Sequence, residues 1–118
     1  MDNYNIIKSY LSDTDNLYRN WYKKKLLQET GLSEGNFTGI FPEIINIEQM
    51  FNNWLLENNN ILRKKICIEW GYFEKRNKYF DDIELIKEMA GYLSFFIDFP
   101  VEVATKLFIS GLDVLCHS

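Results

Sequence analysis

Residues 61–80, ILRKKICIEWGYFEKRNKYF, admit two readings, and the choice between them decides the fold. Ile66, Ile68, Trp70 and Tyr72 alternate, which is the period of a half-buried strand. Leu62, Ile66, Trp70 and Phe73 recur every three or four places, which is the period of a helix face. The pairs Tyr72-Phe73 and Tyr79-Phe80 repeat after seven residues, close to two helical turns. Gly71 weakens either reading. The alternation covers about a third of the stretch and the helical echo all of it, and no second strand candidate exists for pairing. The segment is therefore expected to be a helix over 60–79.

Working outward, the same period continues on both sides. Upstream, Tyr4, Ile7 and Leu11 share a face, and Tyr18, Tyr22 and Leu26 continue it, widened by Leu17 and Trp21. Ser12-Asp13-Thr14-Asp15 reads as a capping box, with Ser12 or Thr14 starting a second helix and Gly31 closing it. Helices are expected near 3–11 and 13–30. The stretch GLSEGNFTGIF (31–41) has a glycine every fourth residue but lacks the Gly-Lys-Ser/Thr ending of a phosphate loop, so it reads as a connection. Pro42 suits a first helical position, with Phe41 as a staple. Ile47, Met50, Phe51, Trp54 and Leu55 then give a helix near 42–57 its apolar face, fraying at Asn58-Asn59-Asn60.

Downstream, Asp81 and Asp82 cap a helix near 82–97, and Asp98-Phe99-Pro100 breaks it and starts another near 100–115. These two helices are apolar around much of their circumference. Ala90, Ser94, Ala104, Ser110 and Gly111 are small enough to allow close approach. Helices of that kind sit centrally in bundles. The expected fold is all-α, a compact bundle of about five helices with a strongly apolar C-terminal helical hairpin, forming a single domain over 1–118.

Composition bounds the function classes. Of 118 residues, 47% are hydrophobic and 25% charged, which excludes wholesale disorder. Met1 to Asn5 has no signal-peptide pattern, and the longest apolar run, Met89 to Ile97, falls short of the about 20 residues that span a bilayer. Cys67 and Cys116 each lie in an apolar run and are expected as two buried free thiols in a reducing, cytoplasmic setting. The abundance of Asn, Ile, Lys, Phe and Tyr fits an AT-rich bacterial or phage genome.

Chemistry has little material to work with. His117 is the sole histidine, and its neighbour Cys116 points about 100° away on a helix, so no thiol-imidazole pair forms. The spacing of Cys67, Cys116 and His117 lacks the short ligand pairs of zinc sites, so neither metal nor cofactor is expected. Cys67 and Trp70, one turn apart, read as core packing. Glu84 and Glu88 share a helix turn beside Lys87 and read as a solvated face rather than an acid-base pair. No nucleophile elbow or dinucleotide fingerprint occurs, and the chain is not expected to be an enzyme.

Charge is segregated within the net −4. Ten of the thirteen basic residues fall into three clusters: Arg19 with Lys23-Lys24-Lys25, Arg63-Lys64-Lys65, and Lys75-Arg76 with Lys78. Residues 81–118 carry seven acids against two bases. If the helices bearing the clusters pack side by side, one basic face lies opposite an acidic hairpin; the plainer reading is charges paired on solvated faces. In length, acidity and helical content the chain is similar to small bacterial immunity or inhibitor proteins and helical accessory subunits, a comparison that no motif carries.

The expected function is a small non-catalytic protein-binding module, an adaptor, inhibitor or accessory subunit whose partner is another protein encoded nearby. Its candidate contact residues are Trp21, Tyr22, Lys24, Lys25, Arg63, Lys64 and Arg76, since aromatic and arginine anchors dominate such contacts. The alternative is nucleic-acid binding through the basic-aromatic stripe of 61–80. A homodimer through the C-terminal hairpin is compatible with either, and no membrane partner is expected.

Overall fold

The computed structural model describes residues 3–31 and 42–117, and every regular element among them is helical. In order these are α1 (Asn3–Ser12), α2 (Thr14–Thr30), α3 (Ile44–Glu57), α4 (Asn59–Arg63), a π-helical segment (Lys64–Glu69), α5 (Tyr72–Lys78), α6 (Asp82–Leu93), α7 (Pro100–Ser110) and α8 (Leu112–Cys116). The all-α expectation holds, and the count of about five helices is too low because several long rods are broken. The glycine-rich stretch after Gly31 and the Phe41 staple lie outside the described residues.

Each break has a local cause. At Ser12-Asp13, the cap is Asp13 rather than Ser12 or Thr14: its backbone is extended and its carboxylate accepts the Asn16 N–H at 3.3 Å, while the Ser12 hydroxyl turns back to the Lys8 carbonyl. Gly31 closes α2 in the left-handed conformation (φ 73°), its N–H bonding the Leu27 carbonyl at 2.9 Å. Pro42 stands two residues ahead of α3, because extended Glu43 occupies the cap position and its carbonyl receives the first helical bonds. The Asn58 amide does not fray the chain; it donates to the Trp54 carbonyl at 2.8 Å, and α4 restarts at once.

The 60–79 stretch is helical as expected but is three pieces instead of one. The Trp70 N–H reaches the Lys65 carbonyl five residues back, the bond of a π turn. Gly71 then adopts φ 78°, a left-handed bend that a side chain would resist. The bend puts Tyr72 in the core and leaves Phe73 exposed, the reverse of an uninterrupted helix face. Gly111 (φ 103°) splits the expected 100–115 helix in the same way, and the 82–97 helix stops at Leu93.

The core is assembled around α7. Six consecutive residues, Glu102 to Leu107, are buried, so this helix is enclosed on all sides by α1, α2, α6 and α8. Ala90 and Ala104 are both buried, small enough for the close α6–α7 packing. A second centre lies between α2 and α3, where the Trp21 and Phe51 rings stack at 4.3 Å and Tyr18 meets Phe51 edge-on. No helix among the described residues is long and apolar enough to cross a membrane.

The expectation of two free thiols is overturned. Cys67, in the π segment, and Cys116, in α8, form a disulfide with their Cα atoms 5.3 Å apart. The turn at Gly111 folds α8 back onto the π segment and brings together residues 49 positions apart. With the pair bonded, the thiol argument for a reducing compartment falls away.

Candidate functional site

The structure separates the residues expected to form one contact face. Trp21 has no exposed surface and is a core residue, so it backs a face rather than presenting one. Tyr22 and Lys25 line an opening between α2 and α3. Lys24 points the other way, its ammonium 2.9 Å from Glu102 Oε2. Arg63 donates to the His117 carbonyl at 3.4 Å, and Arg76 donates to Asp113 Oδ1 at 2.5 Å. Lys64 is exposed.

The basic clusters are therefore not one surface. α2 packs on α1, α3 and α7, whereas the π segment packs on α4, α5, α6 and α8. Arg76 is met by an acid of the C-terminal region instead of lying opposite it. Lys25 pairs with Glu29 and Lys65 with Glu69, each one helical turn along. The Lys65 ammonium holds Glu69 below the usual carboxylate range. This is the plainer reading of the charge pattern, with clusters neutralised locally.

Sequence reasoning missed a charged cluster inside the bundle. Glu102 and Lys106 look like polar interruptions of an apolar helix, yet both are buried. Tyr10 donates to Glu102 Oε2 at 2.6 Å, and the Lys106 ammonium donates to the Tyr18 hydroxyl at 2.8 Å. Burial, reinforced by the adjoining carboxylate, pushes the Tyr10 hydroxyl well above the ordinary tyrosine range, so it remains a donor. Glu102 Oε1 and Trp21 Nε1 are buried with no bonding partner. The available signal was a Glu and a Lys four residues apart on a helix otherwise apolar on that face, facing two tyrosines of α1 and α2. None of these five residues lines a described opening, so the cluster ties α1, α2 and α7 together and presents no site to a ligand.

Two open surfaces remain, and α3 is the wall between them. On one flank, an opening of about 330 Å³ is lined by Tyr22, Leu26, Met50 and Trp54 with Lys25, Glu29 and Glu57. An adjoining opening of about 260 Å³ shares Lys25, Glu29 and Trp54 and extends to Phe96, Asp98 and Phe99. On the other flank, a groove of about 310 Å³ runs between α3–α4 and α7–α8. Its walls are Leu55, Leu56, Leu62, Leu107, Val114 and Leu115, with Asn52, Asn59 and Ser110 as the only polar side chains. Leu56 is 73% exposed and Val114 77% exposed, an unusual position for two large aliphatic residues on the lip of one groove.

Among the described residues no three His, Cys, Asp or Glu side chains converge as metal ligands would. No protein-family model matches the chain, and neither a curated protein nor a solved structure is similar to it.

Proposed function

We propose that this protein is a small non-catalytic protein-binding module, an adaptor or accessory subunit that holds a partner through the groove between α3–α4 and α7–α8. The observation that carries the reading is the exposure of Leu56 and Val114 on a groove whose lining has no charged side chain. A quarter of the chain is charged, so an uncharged aliphatic lining fits the apolar face of a partner helix and fits a solvated surface poorly. The buried ionisable groups add support, because they satisfy one another inside the bundle and do not open onto a cleft where turnover could occur.

Nucleic-acid binding through residues 61–80 has weaker support. Lys65 and Arg76 are engaged by Glu69 and Asp113, and Trp70 and Tyr72 are buried, so the stripe offers few free cations and few stacking rings.

The test places a photo-crosslinking side chain at position 56 or 114, with position 78 as control, in cells that make the protein. A single protein captured from both groove positions and not from the control is the expected result. Leu56→Asp with Val114→Asp should abolish co-purification of that protein while helical content is retained. A double variant that keeps its partner and its biological effect overturns the reading.

A further inference from the structure

We infer that the groove around Trp54, on the opposite flank of α3, is a second binding site that takes a lysine- or arginine-bearing segment of a partner protein. The two openings there share Lys25, Glu29 and Trp54 and form one continuous depression. Its floor and walls are aromatic and soft: Trp54, Tyr22 and Phe99 are half-buried, and Met50 and Phe96 are each a little over 40% exposed. Set into it are three carboxylates, Glu29, Glu57 and Asp98, against a single ammonium, Lys25, already engaged by Glu29 at 2.6 Å.

Each feature selects for positive charge. An anionic ligand would meet three like charges and no free cation. An uncharged apolar ligand would leave the carboxylates partly desolvated without compensation. A guanidinium or ammonium on an aliphatic stem satisfies both surfaces, its charge facing the acids and its stem and cationic face lying on the rings. The protein already uses this contact at the edge of the depression, where the Lys65 ammonium sits 4.0 Å from the centre of the Phe96 ring. Glu57 has no hydrogen-bond or ion-pair partner among the described residues, and Asp98 is held only by the neutral Gln28 amide at 2.6 Å. Both acids remain available to a partner. A protein segment, rather than a free cation, fits the length of the depression, which runs from Tyr22 to Phe99 and alternates apolar and acidic stations.

The experiment follows the indole N–H resonances by NMR. The probes are a short capped peptide of leucine and arginine, its counterpart with glutamate for arginine, and spermine. The Trp54 signal should shift saturably with the arginine peptide alone, while the signal of buried Trp21 stays in place. Glu57→Gln with Asp98→Asn should weaken the apparent affinity by about tenfold or more, and raising the salt should do likewise. Leu56→Asp should leave this titration unchanged, which separates the site from the apolar groove on the other flank. The inference is overturned if both peptides act alike, if neither shifts the signal, if the double variant binds normally, or if spermine saturates the site at the same concentration as the peptide.

Discussion

The hydroxyl of Tyr10 and the carboxylate of Glu102 meet at 2.6 Å in the interior, joining two helices 92 residues apart in the chain. Lys24 reaches the same oxygen from α2, so one buried atom receives a donor from each of two neighbouring helices. Removing either donor exposes the cost of burying the carboxylate. Tyr10→Phe should lose about 1.5–3 kcal/mol in urea unfolding, the range for a hydrogen bond to a charged group. Lys24→Met should lose about 3 kcal/mol, because Glu102 is left without its counter-charge.

The same contact fixes an alkaline limit. The Tyr10 hydroxyl is raised by burial and by Glu102, so the folded state favours its neutral form. That contribution is complete below the ordinary tyrosine value of about 10 and declines as pH rises above it. Unfolding followed against pH should show stability falling above about pH 10 in the parent and a shallower fall in Tyr10→Phe.

At the acid end, Asp81 is held below the usual carboxylate range by the Tyr4 hydroxyl at 2.8 Å and by the Ile83 N–H at 2.9 Å. Its contribution is present above the unfolded value of about 3.9 and is lost as pH falls through the lower, folded value. Tyr4→Phe should raise the Asp81 midpoint in a carboxyl-carbon NMR titration. An unchanged midpoint would show that the tyrosine contributes nothing.

The link between Cys67 and Cys116 closes a loop of 49 residues of sequence separation. On loop-entropy grounds its loss should cost up to about 4 kcal/mol. The melting temperature should fall on adding a reductant and in Cys116→Ser, and thiol titration of the unfolded, unreduced chain should find no free cysteine. Two titratable thiols would refute the bond.

Three glycines separate backbone strain from helix propensity. Gly71→Ala and Gly111→Ala place a side chain at positive φ, and at Gly111 the new Cβ would lie 3.4 Å from Val114. Each should lose about 1–2 kcal/mol. Gly91→Ala sits in α6 with open space around it and should gain about 0.5–1 kcal/mol. Thermal unfolding of the three variants gives the signs directly.

Much of this architecture is legible in the sequence, because helical period is a local property. Ile7, Leu62, Ile66, Ile86 and Leu107 all recur at the spacing of a packed face and all are buried. Breaks are less legible, since Gly71 and Gly111 are compatible with a helix interior until tertiary packing selects the left-handed bend. Contacts set by distant folding are not legible at all. The proximity of Cys67 and Cys116 depends on how α8 turns back, and the burial of Glu102 depends on Tyr10 and Lys24 arriving from two other helices. The two grooves are hidden for the same reason. Trp54 reads as an inward residue, but which flank of α3 its neighbours leave uncovered is settled only by assembly.

The widened turn at Lys64–Glu69 makes the length of this chain as constrained as its chemistry. A residue deleted there would let the helix relax to the ordinary pitch and rotate everything beyond it by about 100°. Trp70 and Tyr72 would swing out of the interior, and the bend at Gly71 would aim α5 elsewhere. Substitutions at exposed Lys64 and Ile68 should be tolerated freely, while a single-codon deletion beside them should not. Among relatives yet to be sequenced, gaps are expected to avoid this stretch even where its letters drift.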